Sequence, residues 1–174
     1  MKKTRVLLIV SALLVPFQLS LGQEVEKEVA FKTADGKYIS AALNSALDLG
    51  GTKIGSRQAF MLVDVNGGEL ADGDTVRITQ TAGVEGGGTK IKGWKLSGGE
   101  LKRGENPADF TVKKSGEMWT FQMKGGKFVG LTPTAVLGPV DTAEAALQVQ
   151  IVDAKGKSAK AGASPAGATG AAAE

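Results

Sequence analysis

Three times along this chain an alternating apolar run is followed by a glycine-led pentapeptide and then by a second apolar run. No other feature restricts the fold as much. The first runs begin at Val29, Val76 and Trp119, 47 and 43 residues apart. In each, one set of side chains alternates with another: Val29, Phe31 and Thr33 with Ala30 and Lys32, Val76, Ile78 and Gln80 with Arg77 and Thr79, and Trp119, Phe121 and Met123 with Thr120, Gln122 and Lys124. A period of two puts every second side chain on one face, as in a strand that covers a core. The pentapeptides are GKYIS at 36–40, GWKLS at 93–97 and GKFVG at 126–130. The closing runs are AFMLVDV at 59–65, DFTVKK at 109–114 and ALQVQIV at 146–152, with Phe60, Phe110 and Leu147 in equivalent places. Shorter apolar segments near 46–49, 100–102 and 135–137 complete a reading of about four strands per unit and twelve in all. A unit of about 40 residues cannot bury its own hairpins, so the three must share one core. No window of about a dozen residues after the first 22 has helical spacing.

The first unit reads VAFKTADGKYISAALNSALDLGGTKIGSRQAFMLVDVNGGEL. Its order of strand, GKYIS, small apolar strand, IG with a polar pair, and FMLVD followed by GG resembles the units of fascin-like β-trefoil proteins. The resemblance extends from about Val29 to Val152, is closest in unit one and is weakest in the front half of unit two, where TAGVEGGGTKIK precedes GWKLS. It implies an all-β, pseudo-threefold β-trefoil: a short six-stranded barrel closed at one end by three hairpins. It also implies a protein-interaction, filament-contacting role.

The amino terminus, MKKTRVLLIVSALLVPFQLSLGQ, carries Lys2, Lys3 and Arg5 before an apolar run and small residues at cleavage-compatible spacing. This is the pattern of a signal peptide over 1–22, and the run is about half of a membrane span. The expected location is therefore secreted or periplasmic, with no stable membrane insertion after cleavage. Those three cations account for the whole excess of 21 basic over 18 acidic residues. The mature chain is close to neutral and lacks the field that holds a polyanion, so nucleic acid is not an expected partner. The domain is assigned to 24–153, long enough to bury around two thirds of its unfolded surface. Residues 154–174, AKGKSAKAGASPAGATGAAAE, have no large apolar side chain and read as a disordered tail.

Cysteine and histidine are both absent. That removes disulfides, thiolate nucleophiles and metal sites, and the usual general base at neutral pH. A pair of carboxylates could still hydrolyse a glycosidic bond, but nothing in the sequence selects a pair. No cofactor is expected: the GKS at 156–158 lacks the glycine a phosphate loop requires five residues earlier, and the triple glycine at 86–88 precedes no helix. The stretch DVNGGELADGDTV at 64–76 resembles a calcium loop only in composition. Counted from Asp64, positions five, six and twelve hold Gly68, Glu69 and Thr75, where a ligand, a glycine and a bidentate glutamate belong. Asn66-Gly67 and Asp72-Gly73 read instead as tight turns, with Asp72 and Asp74 as caps.

What remains is recognition. Aromatic platforms are few, and most fall where the repeat points inward. Trp94 stands apart because the middle unit is irregular and cations surround it in sequence. The candidate ligand-binding set is Trp94 with Lys92, Lys95, Lys102 and Arg103; the competing reading has Trp94 filling the barrel below a solvated lysine rim. The glycine-rich insertion at 80–92 is an equal match for a recognition loop and a flexible connector. The expected function is an exported, non-enzymatic, monomeric binding module for a carbohydrate or an envelope protein, ahead of the filament-contacting module and of a carboxylate-dependent hydrolase.

Overall fold

The structure is a computed structural model and describes residues 24–41, 46–80 and 92–155. Among these are twelve strands: β1 Val25–Thr33, β2 Tyr38–Ala41, β3 Leu47–Gly51, β4 Phe60–Asp64, β5 Thr75–Thr79, β6 Lys92–Ser97, β7 Glu100–Glu105, β8 Asp109–Ser115, β9 Met118–Met123, β10 Phe128–Leu131, β11 Leu137–Val140 and β12 Val149–Asp153. The alternation seen in sequence decides which face is buried. Val76 and Ile78 of β5 are sealed inside, while Arg77 between them reaches outward to Asp109 at 2.8 Å. Burying such a valine or isoleucine contributes about 1.5–3 kcal/mol, which is why the register does not slip by one residue.

Antiparallel pairing closes a ring. β1 pairs β4, β4 pairs β5, β5 pairs β8, β8 pairs β9, β9 pairs β12, and β12 returns to β1. No edge is left on these six strands, so their backbone groups are satisfied around the circle. The other six strands form the hairpins β2–β3, β6–β7 and β10–β11, which adjoin one another: Ala46 bridges Lys102, and Asp48 bridges Val136.

The expected pseudo-threefold β-trefoil is corrected by this pairing. What the strands establish is a closed six-stranded antiparallel barrel with six extra strands in unequal hairpins. The β6–β7 ladder runs unbroken from Lys92↔Glu105 to Ser97↔Glu100, β10–β11 stops at Phe128↔Val140, and β2–β3 shifts register between Tyr38 and Ser40. The repeat survives at the level of strands: Val29 faces Phe60, Val76 faces Phe110, and Trp119 faces Val149. Leu147 is therefore displaced from its expected place by Val149, two residues on. Leu147 is half-buried before the strand and donates its N–H to the Val129 carbonyl. The residue that occupies the inward register, not the nearest large one, marks the repeat.

The centre is aromatic. Phe31 lies 5.6 Å from Phe60, 5.1 Å from Trp94 and 5.3 Å from Phe121, and Trp94 also meets Phe60 at 5.4 Å, Phe110 at 6.1 Å and Phe121 at 5.7 Å. Most of these pairs meet edge to face, an arrangement worth about 0.5–1.5 kcal/mol beyond area burial. Ala154, the first residue assigned to the tail, is buried and donates to the Glu28 carbonyl, so the packed domain includes it. The leader at 1–22, all of the 80–92 insertion but its two end residues, and the tail beyond residue 155 lie outside the described residues.

Candidate functional site

The β6–β7 hairpin carries all five residues singled out in the sequence. It turns on Gly98 and Gly99, with φ of 64° and 78°, the paired positive values of a two-residue hairpin turn that suits glycine. Its register puts Trp94 opposite Arg103 and Lys95 opposite Lys102. Alternation then divides the set: Lys92, Trp94 and Arg103 belong to one face of the ladder, Lys95 and Lys102 to the other.

Trp94 is corrected as a ligand platform. It is 1% exposed and its ring packs against Phe31, Phe60, Phe110 and Phe121, so it offers a ligand no surface. The barrel-filling alternative describes its position. Its Nε1 is buried without a hydrogen-bond partner. Lys95 and Lys102 face each other as like charges, which destabilises a cross-strand pair unless it is relieved. Relief comes from Glu100, whose carboxylate lies 3.0 Å from the Lys102 ammonium. The Lys95 stem passes so close to Gly104 that a Cβ there would meet its Cε at 2.5 Å. Burial pushes the Arg103 guanidinium below its ordinary value. Lys92 is exposed, opposite Glu105.

Sequence reasoning missed two leucines. Leu96 is 49% exposed and Leu131 is 44% exposed, the two large apolar side chains in the open among the described residues. They hold the same place: Leu96 pairs Leu101 and Leu131 pairs Leu137, and both partners are fully buried. In the first hairpin that place is Ala41, paired with the buried Leu47. Aligning the pentapeptides through the inward residues Ile39, Trp94 and Val129 puts both leucines at one place, two positions later, but alternation assigns that place to the inward face, so the sequence does not show their exposure. The hairpins bearing them are in contact, because a Cβ on Gly138 of β11 would lie 2.7 Å from the Gly99 carbonyl. Tyr38 and Phe128 also correspond, each half-buried at the start of its hairpin and paired to Lys32 and Gln122.

The acidic loop between β4 and β5 spends its oxygens on the backbone. Asp64 Oδ1 accepts from the N–H groups of Asn66 at 2.9 Å and Gly67 at 3.2 Å, and Asn66 Oδ1 accepts from Thr75 at 2.6 Å. Asp74 accepts from the Ala71 N–H at 2.6 Å, and Asp72 from the Lys114 N–H at 2.8 Å. Asp74 caps its turn as read from the sequence, whereas Asp72, expected to do the same, ties the loop to β8 instead. No group of three or more acidic, histidine or cysteine side chains suited to a metal occurs among the described residues. Asp64 Oδ2 is buried without a partner. Beside Asp64 lies a cleft with space of about 10 Å³, room for roughly one water, lined by Val25, Lys27, Leu62, Gly68 and Leu70.

No family model matches the sequence, and no curated protein matches it. Among solved structures, a Caenorhabditis elegans protein of unknown function is similar, with a TM-score of 0.51 at 10% identity over 78% of this chain and 98% of that one. At that identity the likeness concerns the fold alone.

Proposed function

We propose that this chain is an exported, non-enzymatic binding module that engages a cell-envelope protein through the end of the barrel covered by its hairpins. The observation that carries this reading is the matched exposure of Leu96 and Leu131 on two adjoining hairpins. A single exposed leucine is ordinary, but two at one register position on adjoining hairpins make a paired apolar feature of the kind that centres a recognition surface. The absence of histidine and cysteine, and the engagement of the loop carboxylates by backbone N–H groups, support a role without catalysis. No helix among the described residues is long and apolar enough to cross a membrane.

Carbohydrate recognition is the second reading, favoured by the half-buried rings of Tyr38 and Phe128 at corresponding positions. A kinship with fascin-like proteins rests on the sequence pattern alone and would place the partner surface on the same protein-binding side of this choice. Two paired variants separate the readings. Leu96→Ser with Leu131→Ser should abolish capture of the dominant envelope protein and leave the unfolding midpoint within the range of surface changes, about 0.5 kcal/mol. Undiminished capture, or binding on a glycan panel that falls with Tyr38→Ala and Phe128→Ala, would replace the first reading with the second.

A further inference from the structure

The asparagine between β4 and β5 has the makings of a covalent self-modification site. Asn66 is exposed, and the following Gly67 has no side chain to shield its nitrogen and adopts a φ of 76°. Both reacting groups are nevertheless tied down. The Gly67 N–H donates to Asp64 Oδ1 at 3.2 Å, and the Asn66 side-chain oxygen is held by the Thr75 N–H at 2.6 Å, nine residues along the chain. Asp64 is itself 4% exposed and fixed between strand and turn.

We infer that Asn66 is a site of spontaneous deamidation, and that the clasp made by Asp64 and Thr75 holds the reaction back in the folded protein. In the reaction the Gly67 nitrogen gives up its proton and bonds to Asn66 Cγ, while the Cγ–Nδ2 bond breaks and Nδ2 leaves as ammonia with that proton. Water then opens the five-membered imide. Cleavage at the former side-chain carbonyl yields aspartate, and cleavage at the main-chain carbonyl yields isoaspartate, which adds a carbon to the backbone. Water is the only co-reactant. Ring closure requires the Asn66 side chain to swing toward the Gly67 nitrogen, so the Thr75 bond must break first; opening of the loop sets the rate. The product places a new carboxylate in the stretch that already holds Asp64, Glu69, Asp72 and Asp74. Like charges there weaken the clasp further, so one event favours an open β4–β5 connection.

Isoaspartate formation in the full chain, followed by peptide mass spectrometry, tests this. The clasp predicts slow conversion in folded wild type, conversion roughly tenfold or more faster in folded Asp64→Ala, where the hydrogen bonds from the Asn66 and Gly67 N–H groups are both lost, and near-wild-type rates in Asp64→Asn, which retains an acceptor. Equal rates in folded wild type and Asp64→Ala would overturn it, as would slower conversion in the alanine variant, which would make Asp64 a base that promotes attack. If Asp64→Ala does not fold, wild type held in denaturant replaces it, and a rate no faster than in the folded protein overturns the inference.

Discussion

The middle and third hairpins hold corresponding positions and solve the same packing problem in opposite ways. At one register position β6 sends Trp94 inward and β10 sends Val129, with Ile39 of β2 as the third member; all three are buried. Trp94 touches Phe31, Phe60, Phe110 and Phe121, rings supplied by four different barrel strands. Val129 and Ile39 bring aliphatic side chains to the same buried cluster. Trp94 is the largest fully buried side chain among the described residues, so the middle hairpin provides the plug.

The comparison can be broken by truncating both plugs. Trp94→Ala should cost about 3–5 kcal/mol, the range for removing a large buried aromatic. Val129→Ala should cost about 2 kcal/mol, from fewer buried methyl groups. Urea unfolding measures both, and equal losses would mean the three hairpins contribute alike. Trp94→Phe sharpens the point: it keeps a ring in the plug and removes the unpartnered Nε1–H, whose burial costs about 1–3 kcal/mol, so it should destabilise far less than alanine.

A smaller contrast lies in the turns that lead into the hairpins. The β1–β2 turn is closed by Thr33 N–H to the Lys37 carbonyl, and the β9–β10 turn by Met123 N–H to the Lys127 carbonyl. Where the first holds Asp35, the second holds Gly125. The Thr33 hydroxyl donates to Asp35, and the Lys37 ammonium lies 3.1 Å away; together they hold this carboxyl below its usual range. A folded value below the unfolded one means the contribution is present above the ordinary carboxylate value and fades as pH falls through the folded value. An NMR titration should find the Asp35 midpoint low and find it raised by Thr33→Val; an unchanged midpoint would remove the hydroxyl as the cause.

Much of the fold was legible because a period of two leaves a clear trace. The three first runs, the pentapeptides and the twelve strands were all visible in apolar alternation and glycine placement. Two things were not. The threefold trefoil was over-read, since a shared inward pattern does not fix how far each hairpin ladder runs or where its register shifts, and Leu147 drew attention from Val149 by size. The site was over-read too: cations flanking Trp94 in sequence suggested a patch, but strand alternation separates neighbours onto opposite faces. Leu96 and Leu131 escaped notice because exposure at the end of a hairpin depends on which partner covers the strand, a fact of tertiary packing. The cap at Asp74 was legible because turn chemistry is local, whereas Asp72 reaches across to the Lys114 N–H of β8, a tertiary contact that turn chemistry does not show.

The most direct test concerns where Trp94 sits. The chain has two tryptophans, so Trp119→Phe leaves Trp94 as the sole indole reporter. Its fluorescence should be blue-shifted and insensitive to iodide in the folded protein, with both properties lost together on unfolding. Emission at the wavelength of water-exposed indole and ready quenching in the folded state would contradict a barrel plugged by its middle hairpin.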